Sequence, residues 1–141
     1  MSKLAELEKL GQSVWFDFIR RSLITSGELK ALIDKGVRGI TSNPAIFEKA
    51  IAGSNDYDQA IKKLSQTGKS VDEIYEALAF EDIERAADLL RKTYDTSGGI
   101  DGYVSLEVNP HLANETEKTI QEALRLYETL GRPNVMIKVP A

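Results

Sequence analysis

The sequence contains no cysteine. Disulfides, thiolate catalysis and cysteine-based metal sites are therefore excluded. Histidine is nearly absent too. His111 is the single one, so no pair of histidines can hold a metal, and in a loop after Pro110 it reads as a surface residue. Neither a basic stripe nor a run of like charge occurs. The formal net charge of −4 and a sequence pI near 5.1 argue against nucleic-acid or anionic-membrane partners. No apolar stretch approaches membrane-spanning length. The start, Met1-Ser2-Lys3-Leu4-Ala5-Glu6, carries an acid and no apolar run, which does not fit a signal peptide. Neither a G-x-x-x-x-G-K nor a G-x-G-x-x-G phosphate loop is present, and Gly98-Gly99 reads as a turn. What is present is an ordinary globular balance, 42% hydrophobic and 28% charged over 141 residues, enough for one domain with its own core. The expectation is a soluble, cytoplasmic, metal-free domain.

Periodicity divides the chain into alternating strands and helices. Residues 3–10 form a short amphipathic helix with Leu4, Leu7 and Leu10 on one side, ended by Gly11. The apolar run 13–19 suits a strand buried on both faces. Thr25 and Glu28 have capping-box spacing ahead of a helix bearing Leu29, Leu32 and Ile33, which Gly36 closes. A second strand is expected over 37–41, with Gly39 marking close packing or a bulge. Asn43-Pro44 then opens a short helix over 44–51. Tyr57, Ala60, Ile61 and Leu64 give another helix its apolar face. Ser70 and Glu73 repeat the capping-box spacing before a long helix of about 70–93, with a break allowed near Phe80. A third strand covers 103–108. Asn114 caps a helix with Ile120, Ala123, Leu124, Tyr127 and Leu130 aligned, and Gly131 ends it. A fourth strand covers 134–139. Four strand–helix units, the last without its helix, predict a parallel sheet with right-handed crossovers.

Each predicted strand, or its end, carries one polar residue that a buried strand does not call for: Asp17, Asn43, Glu107 and Lys138. In parallel α/β folds the strand C-termini share one face, where sites are built. Each residue also has a structural reading. Asn43 before Pro44 fits a side-chain cap, Asp17 a capped acid, Glu107 and Lys138 an ion pair, and Lys138 alone a stem reaching for solvent. Together they suggest a chemistry. A lysine shielded from water spends more time as the free amine, which attacks a carbonyl to form an imine. The protonated imine draws electrons from a neighbouring carbon–carbon bond, while nearby carboxylates move protons and an amide holds hydroxyls without titrating. Acids beside the lysine oppose this by favouring the ammonium.

Four segments in order, Ser13-Val14-Trp15-Phe16-Asp17, Thr41-Ser42-Asn43-Pro44-Ala45-Ile46-Phe47, Val104-Ser105-Leu106-Glu107-Val108 and Met136-Ile137-Lys138-Val139-Pro140-Ala141, resemble the transaldolase family along the whole chain, its longer bacterial branch most of all. The resemblance implies a cofactor-free class I aldolase on a TIM (β/α)8 barrel. Such an enzyme moves a dihydroxyacetone unit from sedoheptulose 7-phosphate to glyceraldehyde 3-phosphate in the pentose phosphate pathway. It implies Lys138 as the Schiff-base lysine and Asp17 as the acid/base on the hydroxyl beside the broken bond. Glu107 becomes the carboxylate shuttling protons through a water, Asn43 the amide orienting the dihydroxyacetone hydroxyls, and Thr41 a support of that network. A barrel of this kind needs about 250 residues, so residues 1–141 read as its N-terminal half, a single domain cut after the fourth strand, with the phosphate-binding residues elsewhere. Two other readings stay open: a non-catalytic half barrel that self-associates through its open sheet edges, and a Schiff-base aldolase without transfer activity.

Overall fold

The computed structural model describes residues 2–139; Pro140 and Ala141 of the last motif lie outside them. A short helix α1 (Lys3–Lys9) precedes strand β1 (Trp15–Phe16). Helices α2 (Arg21–Thr25) and α3 (Glu28–Lys35) lead to β2 (Gly39–Ile40), and α4 (Pro44–Ala52), α5 (Asp58–Ser65) and α6 (Val71–Thr96) lead to β3 (Tyr103–Glu107). A 3-10 turn (Pro110–Leu112) and α7 (Thr116–Leu130) connect to β4 (Val135–Lys138). The strands form one parallel sheet in the order β1-β2-β3-β4. No helix among the described residues is long and apolar enough to cross a membrane.

Alternation along β3 and β4 sorts the side chains onto two faces. Val104, Leu106 and Val135 are buried and pack with Ile137 against Ile83, Ala86, Ala87 and Leu90 of α6 and Leu126 and Leu130 of α7. Ser105, Glu107, Met136 and Lys138 take the other face, with Ser105 paired to Met136 and Glu107 to Lys138. Asn134 is buried, and its amide donates to the Ala87 and Gly102 carbonyls at 2.8 and 2.9 Å, which fixes the entry to β4.

Several element boundaries differ from expectation, each for a local reason. Strand β1 is two residues, not 13–19. The backbone is still extended at Arg20, but the ladder to the β2 segment ends with the Thr41 N–H on the Phe16 carbonyl. The Thr25–Glu28 capping box does not form. Thr25 ends the unforeseen helix α2 and donates its hydroxyl to the Arg21 carbonyl, while α3 starts from Gly27 at φ +84°. Helix α6 runs past Phe80 unbroken, and its Ser70–Glu73 capping box is present as expected. The cap of α7 is Glu115, not Asn114, and no side chain caps it. Two stripes on α7 have helical spacing. The buried one carries Thr119, Ala123, Leu126 and Leu130, whereas Ile120, Leu124 and Tyr127 stand exposed. The close packing expected at Gly39 is present: a Cβ there would lie 2.4 Å from the Trp15 ring.

Candidate active site

The parallel sheet brings the C-terminal ends of β2, β3 and β4 together, and three of the singled-out residues meet there. Glu107 and Lys138 are direct ladder partners with their side chains on the same face. The Lys138 ammonium lies 3.2 Å from the Glu107 carboxylate and donates to Thr41 Oγ1 at 3.2 Å and to the Ser42 carbonyl at 3.0 Å. Two of its N–H donors are thus hydrogen-bonded, and the Glu107 carboxylate is its ion-pair partner. Thr41 is held in turn, accepting from Ser105 Oγ at 3.1 Å. The fully buried Ser42 donates its hydroxyl to the Ser105 carbonyl at 2.6 Å, tying the end of β2 to β3.

Asn43 is half-buried and is the N-cap of α4, its Oδ1 accepting from the Ile46 N–H at 2.9 Å with Pro44 at the first helical position. The capping reading is therefore correct. It uses only the oxygen, and the amide NH2 makes no hydrogen bond among the described residues. Asp17 directly follows β1, is exposed, and makes no hydrogen bond or ion pair among the described residues. It lies at the same C-terminal end of the sheet as the lysine, but past β1, the opposite edge strand from β4, and no hydrogen bond or ion pair joins them.

One expectation needs correction. The Lys138 side chain is 40% exposed, so the described residues do not supply the shielding from water expected of it. Ser105 is 2% exposed, its hydroxyl donating to Thr41 just past the end of β2. Sequence reasoning also gave no role to Ser42, whose carbonyl accepts from the lysine, or to the Ser105 hydroxyl. Ser105 was recoverable: two residues before Glu107 in a strand, it must share its face.

Behind Glu107, on the helix side, lies a cavity of about 330 Å³ whose lining includes Tyr75, Phe80, Leu106 and His111. Burial and then the Glu107 charge push the Tyr75 phenol up from its ordinary range. Tyr75 meets Phe47 edge to face at 6.2 Å between ring centroids.

An amine, a carboxylate and a hydroxyl converging on the C-terminal edge of a parallel sheet is the site layout of α/β enzymes. The sequence profile of the transaldolase/fructose-6-phosphate aldolase family matches residues 14–141, and the chain belongs to that family. It is 55% identical over 138 residues to the transaldolase of Trichodesmium erythraeum (strain IMS101), covering 97% of this chain and 36% of that protein. It is 45% identical to the transaldolase of Mycobacterium ulcerans (strain Agy99) over 139 residues, which is 98% of this chain and 37% of that protein. Against the transaldolase of Neisseria meningitidis (strain FAM18) the identity is 43% over 141 residues, covering 40% of that protein. The chain thus spans well under half the length of these relatives.

Proposed function

We propose that residues 1–141 are the N-terminal half of a transaldolase barrel, a single domain ending just past its fourth strand. The whole enzyme transfers a dihydroxyacetone unit from sedoheptulose 7-phosphate to glyceraldehyde 3-phosphate. The observation that carries this is the Lys138 amine held 3.2 Å from the Glu107 carboxylate at paired strand ends. Lys138 attacks the donor carbonyl. Glu107 accepts and returns the protons of carbinolamine formation and dehydration through a water. Asp17 takes the proton from the hydroxyl next to the bond that breaks. The free NH2 of Asn43 binds a dihydroxyacetone hydroxyl, and Thr41 keeps the amine oriented until substrate arrives.

A second reading, aldol cleavage without transfer, is favoured by the family's joint description as transaldolase and fructose-6-phosphate aldolase. One assay separates them in the intact enzyme. Donor ketose phosphate consumed only when an acceptor aldose phosphate is added supports transfer, and consumption without acceptor supports the aldolase. Borohydride with dihydroxyacetone should leave a reduced adduct on Lys138. An adduct elsewhere, or none, overturns the imine.

On its own, residues 1–141 self-associate and do not turn over. Met136 and Val139 on the β4 edge are 41% and 54% exposed, and Leu124 on α7 is 57% exposed, a surface that soluble monomers seldom leave bare. Light scattering after size exclusion tests this, and a monodisperse monomer overturns it.

A further inference from the structure

Asp17 stands apart from the other site residues. Among the described residues it makes no hydrogen bond or ion pair, so what holds it in place acts through residues 17–20, the link between β1 and α2. That link is held at three points. At its start the Thr41 N–H donates to the Phe16 carbonyl at 3.0 Å. In its middle the Ile19 side chain is fully buried in the core. At its end, helix α2 begins at Arg20 without a side-chain cap from its own residues. Its first free N–H groups are satisfied instead from distant sequence: the Arg21 N–H donates to the Tyr57 hydroxyl at 3.0 Å and the Ser22 N–H to Asp56 Oδ2 at 3.0 Å. The N–H groups of a first helical turn need such acceptors.

The Tyr57 hydroxyl is in turn locked. It donates to Asp82 Oδ2 at 2.8 Å, and Asp82 also accepts from Arg21 Nε at 2.9 Å. Tyr57 and Asp82 are both fully buried, and the Arg21 guanidinium stacks over the Tyr57 ring at 4.8 Å. Burial, together with the Asp82 charge and hydrogen bond, pushes the Tyr57 phenol well above its ordinary range. So the phenol keeps its proton and stays both donor and acceptor. A buried charge is expensive unless fully paired, and here the pairing ends on the backbone that leads back to Asp17.

We propose that Tyr57, backed by Asp82 and assisted by Asp56, is the positioning residue for Asp17: a cap supplied from the α4–α5 connection and from α6 that sets where the acid/base stands. This rests on the transaldolase reading, in which Asp17 acts in carbon–carbon bond cleavage and not in imine formation.

The test uses Tyr57→Phe, which keeps the ring and removes only the hydroxyl, in the intact enzyme. Transfer should fall roughly tenfold, within the range that misplacing a reacting group produces, while borohydride trapping of dihydroxyacetone on Lys138 stays within about twofold of wild type. Asp17→Asn alone should be slower still, and Asp17→Asn/Tyr57→Phe no slower than Asp17→Asn, because a positioner has nothing left to position. Asp56→Ala, which releases the Ser22 N–H at a partly exposed site, should show the same pattern. Losses that multiply in the double variant, or trapping that falls in step with turnover, overturn the positioning role. Normal transfer in Tyr57→Phe beside a slow Asp17→Asn overturns it while leaving the function standing. Normal turnover in Asp17→Asn overturns the acid/base reading itself. In residues 1–141 alone, Tyr57→Phe should speed amide hydrogen exchange at Arg21. Unchanged exchange there overturns the cap.

Discussion

The two halves of the sheet position their polar residues by different means. Strands β3 and β4 share four paired rungs, and the last of these is Glu107 with Lys138. Their side chains are set by the ladder, with alternation choosing the face and register choosing the neighbour. Strands β1 and β2 share two rungs, and β2 shares two with β3. The polar residues on that side lie beyond the strands, on connections whose shape depends on caps: Asn43 on the α4 N-terminus, and Asp17 on a link held by Tyr57, Asp56 and Ile19. In the proposed mechanism, imine chemistry falls to the half with the longer ladder, and the acid/base that acts on bound substrate to the half built from connections. Backbone pairing sets Glu107 and Lys138 side by side before substrate binds, and Thr41 and the Ser42 carbonyl hold the amine. A residue on a capped loop has more room to adjust to what it binds.

The largest expected effects test that division directly. In the intact enzyme Lys138→Ala should abolish both trapping and transfer, and near-normal turnover would remove the covalent mechanism. Glu107→Gln and Asp17→Asn should each cost turnover roughly a hundredfold, the scale of losing a general acid/base, but they should differ in the step affected. Glu107→Gln should slow imine trapping, and Asp17→Asn should leave trapping intact. If both slow trapping equally, the two halves do not divide the chemistry. A sharp fall in melting temperature with unchanged turnover in Glu107→Gln would instead make the Glu107–Lys138 contact a structural ion pair.

Next in size are stability effects on the loop-built half. Gly39→Ala places a Cβ 2.4 Å from the Trp15 indole across the β1–β2 pair, and overpacking of this kind costs about 1–3 kcal/mol. Asn43→Ala removes the α4 cap, for about 1 kcal/mol. Denaturant midpoints read both. Asn43→Asp, which keeps the cap acceptor but loses the NH2, separates capping from substrate binding: stability should recover and the Michaelis constant for donor ketose should not.

What the sequence disclosed follows the same division. The strand order and the shared face of Ser105, Glu107, Met136 and Lys138 were legible, because alternation and parallel connection are local rules. Strand lengths were not: residues 13–19 are apolar throughout, but a ladder extends only as far as its partner does, and β2 stops at Ile40. On α7 two stripes satisfy helical spacing, and only the sheet beneath decides that Leu126 is buried and Leu124 exposed. The caps on α2 were invisible. Their partners lie 36 and 34 residues away, and nothing in the periodicity around Tyr57 distinguishes a phenol that caps a distant helix from one that fills a helix face.

The smallest expected effect concerns how β2 is seated at its other end. Arg38, the residue before β2, makes a two-pronged contact with Glu8 of α1, at 3.0 and 2.7 Å, and its carbonyl accepts from the Gly102 N–H at 2.8 Å on the way into β3. The hydrogen bond from Arg38, and then its charge, hold the Glu8 carboxyl below the ordinary value of 4.5. The unfolded chain therefore takes up this proton at higher pH than the folded one does. The pair's contribution is full above about pH 4.5 and is lost as pH falls through the lower folded value. The Glu8 side chain is 43% exposed, so water and salt screen the pair and its contribution is modest. Other carboxyls, Glu73 and Asp56 among them, are also held low, so the total acid sensitivity does not isolate Glu8. The difference between wild type and Glu8→Gln does. Their denaturant midpoints should be furthest apart near neutral pH, converge below pH 4.5, and lie closer at all pH values in high salt. Midpoints that stay equally spaced from neutral to acid would show that this contact contributes nothing to seating β2.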